Sequence, residues 1–91
     1  MYILKCADGS FYTGSTIDLR RRLTEHQTGH GANYTKKRLP VVLVYYEEYE
    51  HIDIAFSREK QVQRWSHAKK AALVDGRFNE LPALAKKVFR K

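Results

Sequence analysis

Two short runs near the start of the chain, Tyr2 to Cys6 and Phe11 to Ser15, are strand-like and are separated by Ala7-Asp8-Gly9-Ser10. An Asp-Gly pair favours reversal of the chain because glycine accepts the positive φ that tight hairpin turns require. The pattern predicts a β-hairpin. From Asp18 the apolar spacing lengthens to Leu19, Leu23 and His26, at i, i+4 and i+7, which is one face of a helix. Asp18 stands where a helix cap or first-turn acid belongs, and Gly29 where the helix ends.

Residues 28–40 hold Gly29, Gly31, Asn33 and the cluster Lys36-Lys37-Arg38 without a sustained period, which predicts a basic loop. Val41 to Tyr46 is apolar and β-branched at nearly every position, so it reads as a strand covered on both faces, returning to solvent at Glu47 to Glu50. A second helix is expected over Ile52 to Trp65. A third runs from a Ser66 cap to a Gly76 terminator, and a last one starts at Asn79 with an apolar stripe of Leu81, Leu84, Ala85 and Val88. The expected order ββαβααα has too few strands for a βαβ array. It implies an α+β fold, a small three-stranded antiparallel sheet flanked by helices. One domain is expected, with residues 1–75 as its body and residues 76–91 as a helical extension packed on it.

Composition narrows the function classes. At 43% hydrophobic and 30% charged residues the chain is too apolar for disorder. Its single cysteine, Cys6, allows neither an intrachain disulfide nor a thiolate zinc cluster. No apolar run approaches the roughly 20 residues that span a bilayer, and no basic segment leads into a signal core, so no membrane partner and a cytoplasmic location are expected. Oligomeric state stays open. A formal charge of +7 attracts phosphate polyanions, although anionic membranes and acidic proteins attract the same charge.

Glu59 is the most informative position. Rotating the second helix by about 100° per residue puts Ile52, Ala55, Phe56 and Val62 around it, inside the apolar stripe. An ionised carboxylate buried there calls for compensation. An arginine of the neighbouring helix would serve, and so would a metal; a structural salt bridge or a helix rolled to free the carboxylate remain open at this point. His26 continues the leucine stripe of the first helix, where a hydrogen-bonded packing role competes with a catalytic one. Periodicity does not single out Arg22 from Arg20 and Arg21. The tyrosines Tyr2, Tyr12, Tyr34, Tyr45, Tyr46 and Tyr49 read as amphipathic packing unless nearby cations lower a phenol toward neutrality. Trp65 reads as a core or helix-junction anchor.

Tyr2-Ile3-Leu4, then Tyr12-Thr13-Gly14-Ser15, then the run Asp18 to His26, and Glu59 within Ser57 to Trp65 together resemble the GIY-YIG nucleases. The resemblance runs from Met1 to about Leu73 and looks closest to small stand-alone bacterial members. It implies that Tyr2 and Tyr12 are the motif tyrosines, Arg22 the catalytic arginine, His26 the histidine one turn later, and Glu59 the single protein ligand of Mg²⁺ or Mn²⁺. Two departures are visible: the Gly-Ile that would precede Tyr2 is absent, which could loosen the first strand, and Thr13 stands where the motif has isoleucine. The implied chemistry is metal-dependent phosphodiester hydrolysis with a tyrosine base and an arginine phosphate clamp, on DNA ahead of RNA. Gly14, Tyr34, Lys36, Lys37, Arg38, Lys69 and Lys70 would contact nucleic acid; for Gly14 an ordinary strand terminator is the alternative. The rival reading is a binding module of the same fold with weak or no catalysis, in a setting that includes RNA.

Overall fold

The structure, a computed structural model, describes residues 1–77 and Leu81. Its elements are β1 (Tyr2–Lys5), β2 (Phe11–Gly14), α1 (Leu19–Gln27), α2 (Asn33–Lys36), β3 (Val42–Tyr46), α3 (Ile52–Gln63) and α4 (His67–Val74). The sheet is antiparallel in the order β2-β1-β3, so the α+β fold is as expected. The hairpin turns at Gly9, with φ +85°, and Asp8 Oδ1 accepts from the Ser10 amide and hydroxyl at 3.0 and 2.6 Å. Its register runs from Tyr2 opposite Gly14 to Lys5 opposite Phe11.

Because side chains alternate across a sheet, β1 divides the core in two. Tyr2 and Leu4 pack with Cys6 and Val41 on one face, against Leu19 and Leu23 of α1. Ile3 packs on the other, with Met1, Val62 of α3 and Leu73 of α4. Burying side chains as fully as Ile3 and Leu4 contributes roughly 1.5–3 kcal/mol each. The start of β1 is held, since Glu47 N donates to Met1 O at 2.8 Å and the Met1 ammonium donates to Glu47 O at 3.0 Å.

Three expectations change. The strand covered on both faces is β1; β3 lies at an edge, with Val42 and Tyr46 half exposed. An apolar run marks a strand but does not state its place in the sheet, which depends on which strands pair. β3 also bulges, since Ile3 faces Tyr45 and Leu4 faces Leu43, leaving Val44 between them. The basic loop contains a helical turn, α2, that the lack of periodicity hid. Finally, Ile52 and Phe56 are half exposed, and only Ala55, Glu59 and Val62 of α3 are buried. That helix meets the sheet along a narrower line than its apolar stripe suggests.

The helix caps are where the sequence places them. Asp18 Oδ1 accepts from Arg21 N and Ser66 Oγ from Lys69 N, both at 3.1 Å, while Gly29 and Gly76 take positive φ beyond α1 and α4. The expected last helix, with Asn79, Leu84, Ala85 and Val88, lies outside the described residues; Leu81 packs against the Ile3 side of the core. Among the described residues no helix is long and apolar enough to cross a membrane.

Candidate active site

The helix α1 crosses the face of the sheet that carries Tyr2 and Tyr12, and its last turn places His26 against both rings. Ring centroids lie 5.8 Å apart for Tyr2 and His26 and 5.2 Å for Tyr12 and His26. The imidazole is fully buried. Its Nε2 lies 2.9 Å from the Tyr2 hydroxyl and its Nδ1 2.7 Å from Thr35 Oγ1. Thr35 donates its one hydroxyl proton to the Ala32 carbonyl at 3.0 Å, so toward His26 it only accepts. Nδ1 therefore carries the imidazole proton, and the Nε2 lone pair receives the Tyr2 O–H. Gly31 closes over this ring, where a Cβ would collide with Nδ1 and stand 2.8 Å from Cγ.

Burial pushes the Tyr2 phenol up to about 12, and the Arg22 guanidinium pulls the other way without overcoming it. Tyr12 is raised for the same reason. Burial and the Arg22 charge both hold His26 below its ordinary value, so the imidazole is neutral near neutral pH. The expectation that cations lower a tyrosine is thus not met in the free protein, because desolvation outweighs Arg22. Of the three arginines, Arg22 is the one beside the phenols. It pairs with Glu25 at 3.1 Å, and Arg21, largely exposed, approaches the same carboxylate at 3.5 Å.

Glu59 is 9% exposed. Its Oε1 accepts from Ser15 Oγ at 2.6 Å and its Oε2 from Gln63 Nε2 at 2.7 Å; the Gln63 amide is also 3.2 Å from the Thr13 carbonyl. Neutral donors satisfy the carboxylate, and no cation forms an ion pair with it among the described residues. Although α3 and α1 pack on opposite faces, this carboxylate reaches Ser15, just past the end of β2. Its charge and that of Arg22 both act on Tyr2 and Tyr12. Tyr2, Tyr12, Arg22 and His26 thus form one cluster, and Glu59 approaches it from the other side of the sheet through Ser15. A neighbouring cavity of about 260 Å³ includes Tyr2, Thr16, Leu19 and residues 47–50 but none of the other four.

Gly14 sits against Tyr2, where a Cβ would stand 2.5 Å from the phenol oxygen. Its smallness is required by the tyrosine. Lys36 and Lys37 are exposed, and Tyr34 and Arg38 stack beside Tyr12. Lys69 is not presented to solvent: it is 3% exposed, with its ammonium 3.8 Å from the Trp65 ring centre, and Lys70 is half-buried. Both belong to α4, on the face opposite α1, and are not brought beside Lys36 and Lys37. Sequence reasoning missed Thr35, Gly31, Ser15 and Gln63. Only Gln63 leaves a local signal, its i+4 spacing from Glu59.

A family model described as the GIY-YIG catalytic domain matches residues 1–72. The chain belongs to the GIY-YIG family. It is 46% identical over 77 residues to a UPF0213 protein of Streptococcus sanguinis, covering 85% of this chain and 88% of that one. A UPF0213 protein of Halobacterium salinarum is 42% identical over 73 residues, covering 80% and 95% of the two chains. The solution NMR structure of the UPF0213 protein BH0048 from Bacillus halodurans is similar with a TM-score of 0.52 and 43% identity, over 81% of this chain and 79% of that one. GIY-YIG is a nuclease family whose members generally use a divalent metal. Among the described residues no group of three or more His, Cys, Asp or Glu side chains forms a metal cage. Glu59 nonetheless fits a single-ligand site, being buried without a cation and keeping a second lone pair on each oxygen. Mg²⁺ is held in this way, by one or two carboxylates together with waters and substrate phosphates.

Proposed function

We propose that this protein is a metal-dependent endonuclease that hydrolyses nucleic-acid phosphodiesters in the cytoplasm, DNA ahead of RNA. The observation that carries this reading is the hydrogen-bonded chain from Tyr2 through His26 to Thr35, flanked by Arg22. A phenol near 12 is not a base by ionising first. It acts as one by relay: the Tyr2 oxygen accepts a proton from the attacking water while its own proton passes to His26 Nε2. The Nδ1–H bond to Thr35 keeps that lone pair aimed at Tyr2 throughout. Arg22 binds the non-bridging oxygens of the scissile phosphate, with a fork geometry suited to them, and the bound phosphate in turn offsets the Arg22 charge that opposes an imidazolium. Tyr12, beside both groups, orients the phosphate through its hydroxyl. Glu59 would hold Mg²⁺ or Mn²⁺, which supplies charge neutralisation at the leaving oxygen. Lys36 and Lys37 position the backbone without reading sequence.

The test is Glu59→Gln, assayed for cleavage of labelled DNA and RNA substrates with each metal, for binding in chelator, and for thermal stability. Cleavage falls on the order of 10²-fold or more. Binding in chelator and the melting temperature hold, because the partners of Glu59 are neutral and the change strands no cation. A wild type that binds but cuts none of these substrates with either ion would establish the binding-module reading instead.

A further inference from the structure

Beside the catalytic cluster the chain builds a feature that hydrolysis does not use. Tyr34, next to Thr35 on α2, stacks on Tyr12 with ring centroids 6.0 Å apart and 30° between planes. The Arg38 guanidinium lies 3.8 Å from the centre of the Tyr34 ring. Arg38 is held by its edge, since Nε donates to Asp8 Oδ2 at 3.1 Å and Nη1 to the Tyr34 carbonyl at 3.0 Å. Two in-plane bonds and one stacked face fix the orientation of the group. Its side chain is 33% exposed, and among the described residues the contacts of the guanidinium engage Nε, Nη1 and the face toward Tyr34, not Nη2 or the opposite face.

A guanidinium placed to grip phosphate presents its in-plane fork. Here two positions of that fork bond to the protein itself, and a flat cationic surface remains. It continues through Tyr34, which is 37% exposed, to Tyr12, with the exposed Lys36 and Lys37 next in the chain. Bases stack on aromatic rings and on arginine planes alike, and such stacking is tolerant of base identity. Inside a duplex both faces of a base are already covered by its neighbours.

We propose that the Arg38–Tyr34 stack is a binding site for an unpaired nucleobase flanking the phosphate at the catalytic cluster. The substrate then carries an unstacked nucleotide next to the cut, as in a single-stranded end, flap or bulge. This deepens the nuclease reading and rests on it only for the position of the scissile phosphate. The platform meets the base and not the sugar, so deoxyribose and ribose strands share the recognised chemistry.

Equilibrium binding in chelator tests it, using short single strands of each sugar type with one abasic position moved along the strand. Wild type loses affinity on the order of ten-fold when one particular base is missing, in at least one of the two series. Arg38→Lys keeps the charge but not the plane, so it loses this discrimination between intact and abasic strands. Tyr34→Phe, which keeps the ring, retains it. Equal affinity at every abasic position in both series overturns the proposal, and that comparison needs no variant. Discrimination that survives Arg38→Lys overturns it too. A protein that discriminates but never cleaves keeps this site and loses the nuclease reading, whereas one that cleaves while binding intact and abasic strands alike loses this proposal alone.

Discussion

Thr35→Val removes one hydroxyl at nearly constant shape, and the structure states what that hydroxyl does. It accepts the Nδ1–H of a fully buried His26 at 2.7 Å, and Gly31 closes over that ring nitrogen so tightly that no side chain fits there to replace it. Leaving a buried donor without an acceptor costs about 1–3 kcal/mol. In a domain of this size each kcal/mol shifts the melting temperature by about 4–8 °C, so the variant melts roughly 4 to 24 °C lower. The imidazole escapes part of the cost by moving its proton to Nε2, but then the Tyr2 hydroxyl loses its acceptor and the relay is broken. A bias of 1–3 kcal/mol between tautomers corresponds to about 5- to 150-fold in their ratio, at a factor of ten per 1.4 kcal/mol.

Single-turnover cleavage at saturating metal therefore slows by up to that factor, below the melting transition. Nitrogen-15 NMR of the imidazole reads the tautomer directly. Thr35→Ser, which restores the hydroxyl, restores rate and tautomer. Wild-type rate and melting temperature in Thr35→Val would refute the tautomer argument. So would a Thr35→Ser variant as slow as Thr35→Val.

Gly14→Ala places a Cβ 2.5 Å from the Tyr2 oxygen and 2.6 Å from Cζ, so the ring must move off His26; cleavage drops by about ten-fold or more while binding in chelator is retained, and an unchanged rate would refute the close approach. The pH–rate profile follows from the relay: with His26 held below its ordinary value of roughly 6.5 and Tyr2 raised to about 12, the rate falls only on the acid side and stays level to about pH 10. A rate rising steadily across the alkaline range would show ionised phenol to be the base. The same depressed His26 value makes stability complete above roughly pH 6.5 and lost as pH falls through the folded-state value, because the unfolded chain then binds the proton first; a melting temperature level on acidification would contradict it.

The Asp8-Gly9 turn, the Asp18 and Ser66 caps and the terminators Gly29 and Gly76 were all legible in the chain itself, because each acts through atoms a few residues away. The motif residues Tyr2, Tyr12 and His26 pack against one another, and Glu59 reaches Ser15 beside them. Tertiary structure alone decided the rest. Which strand is central depends on pairing between distant segments, so the most apolar run could become an edge while β1 took the middle. Glu59 found neutral partners in Ser15 and Gln63, not an arginine, and burial raised the tyrosines that nearby cations were expected to lower. Thr35 and Gly31 acquired their roles only when α2 folded back against His26. Hydrogen-bond direction and desolvation are properties of what surrounds an atom, and for a buried site most of those surroundings come from elsewhere in the sequence.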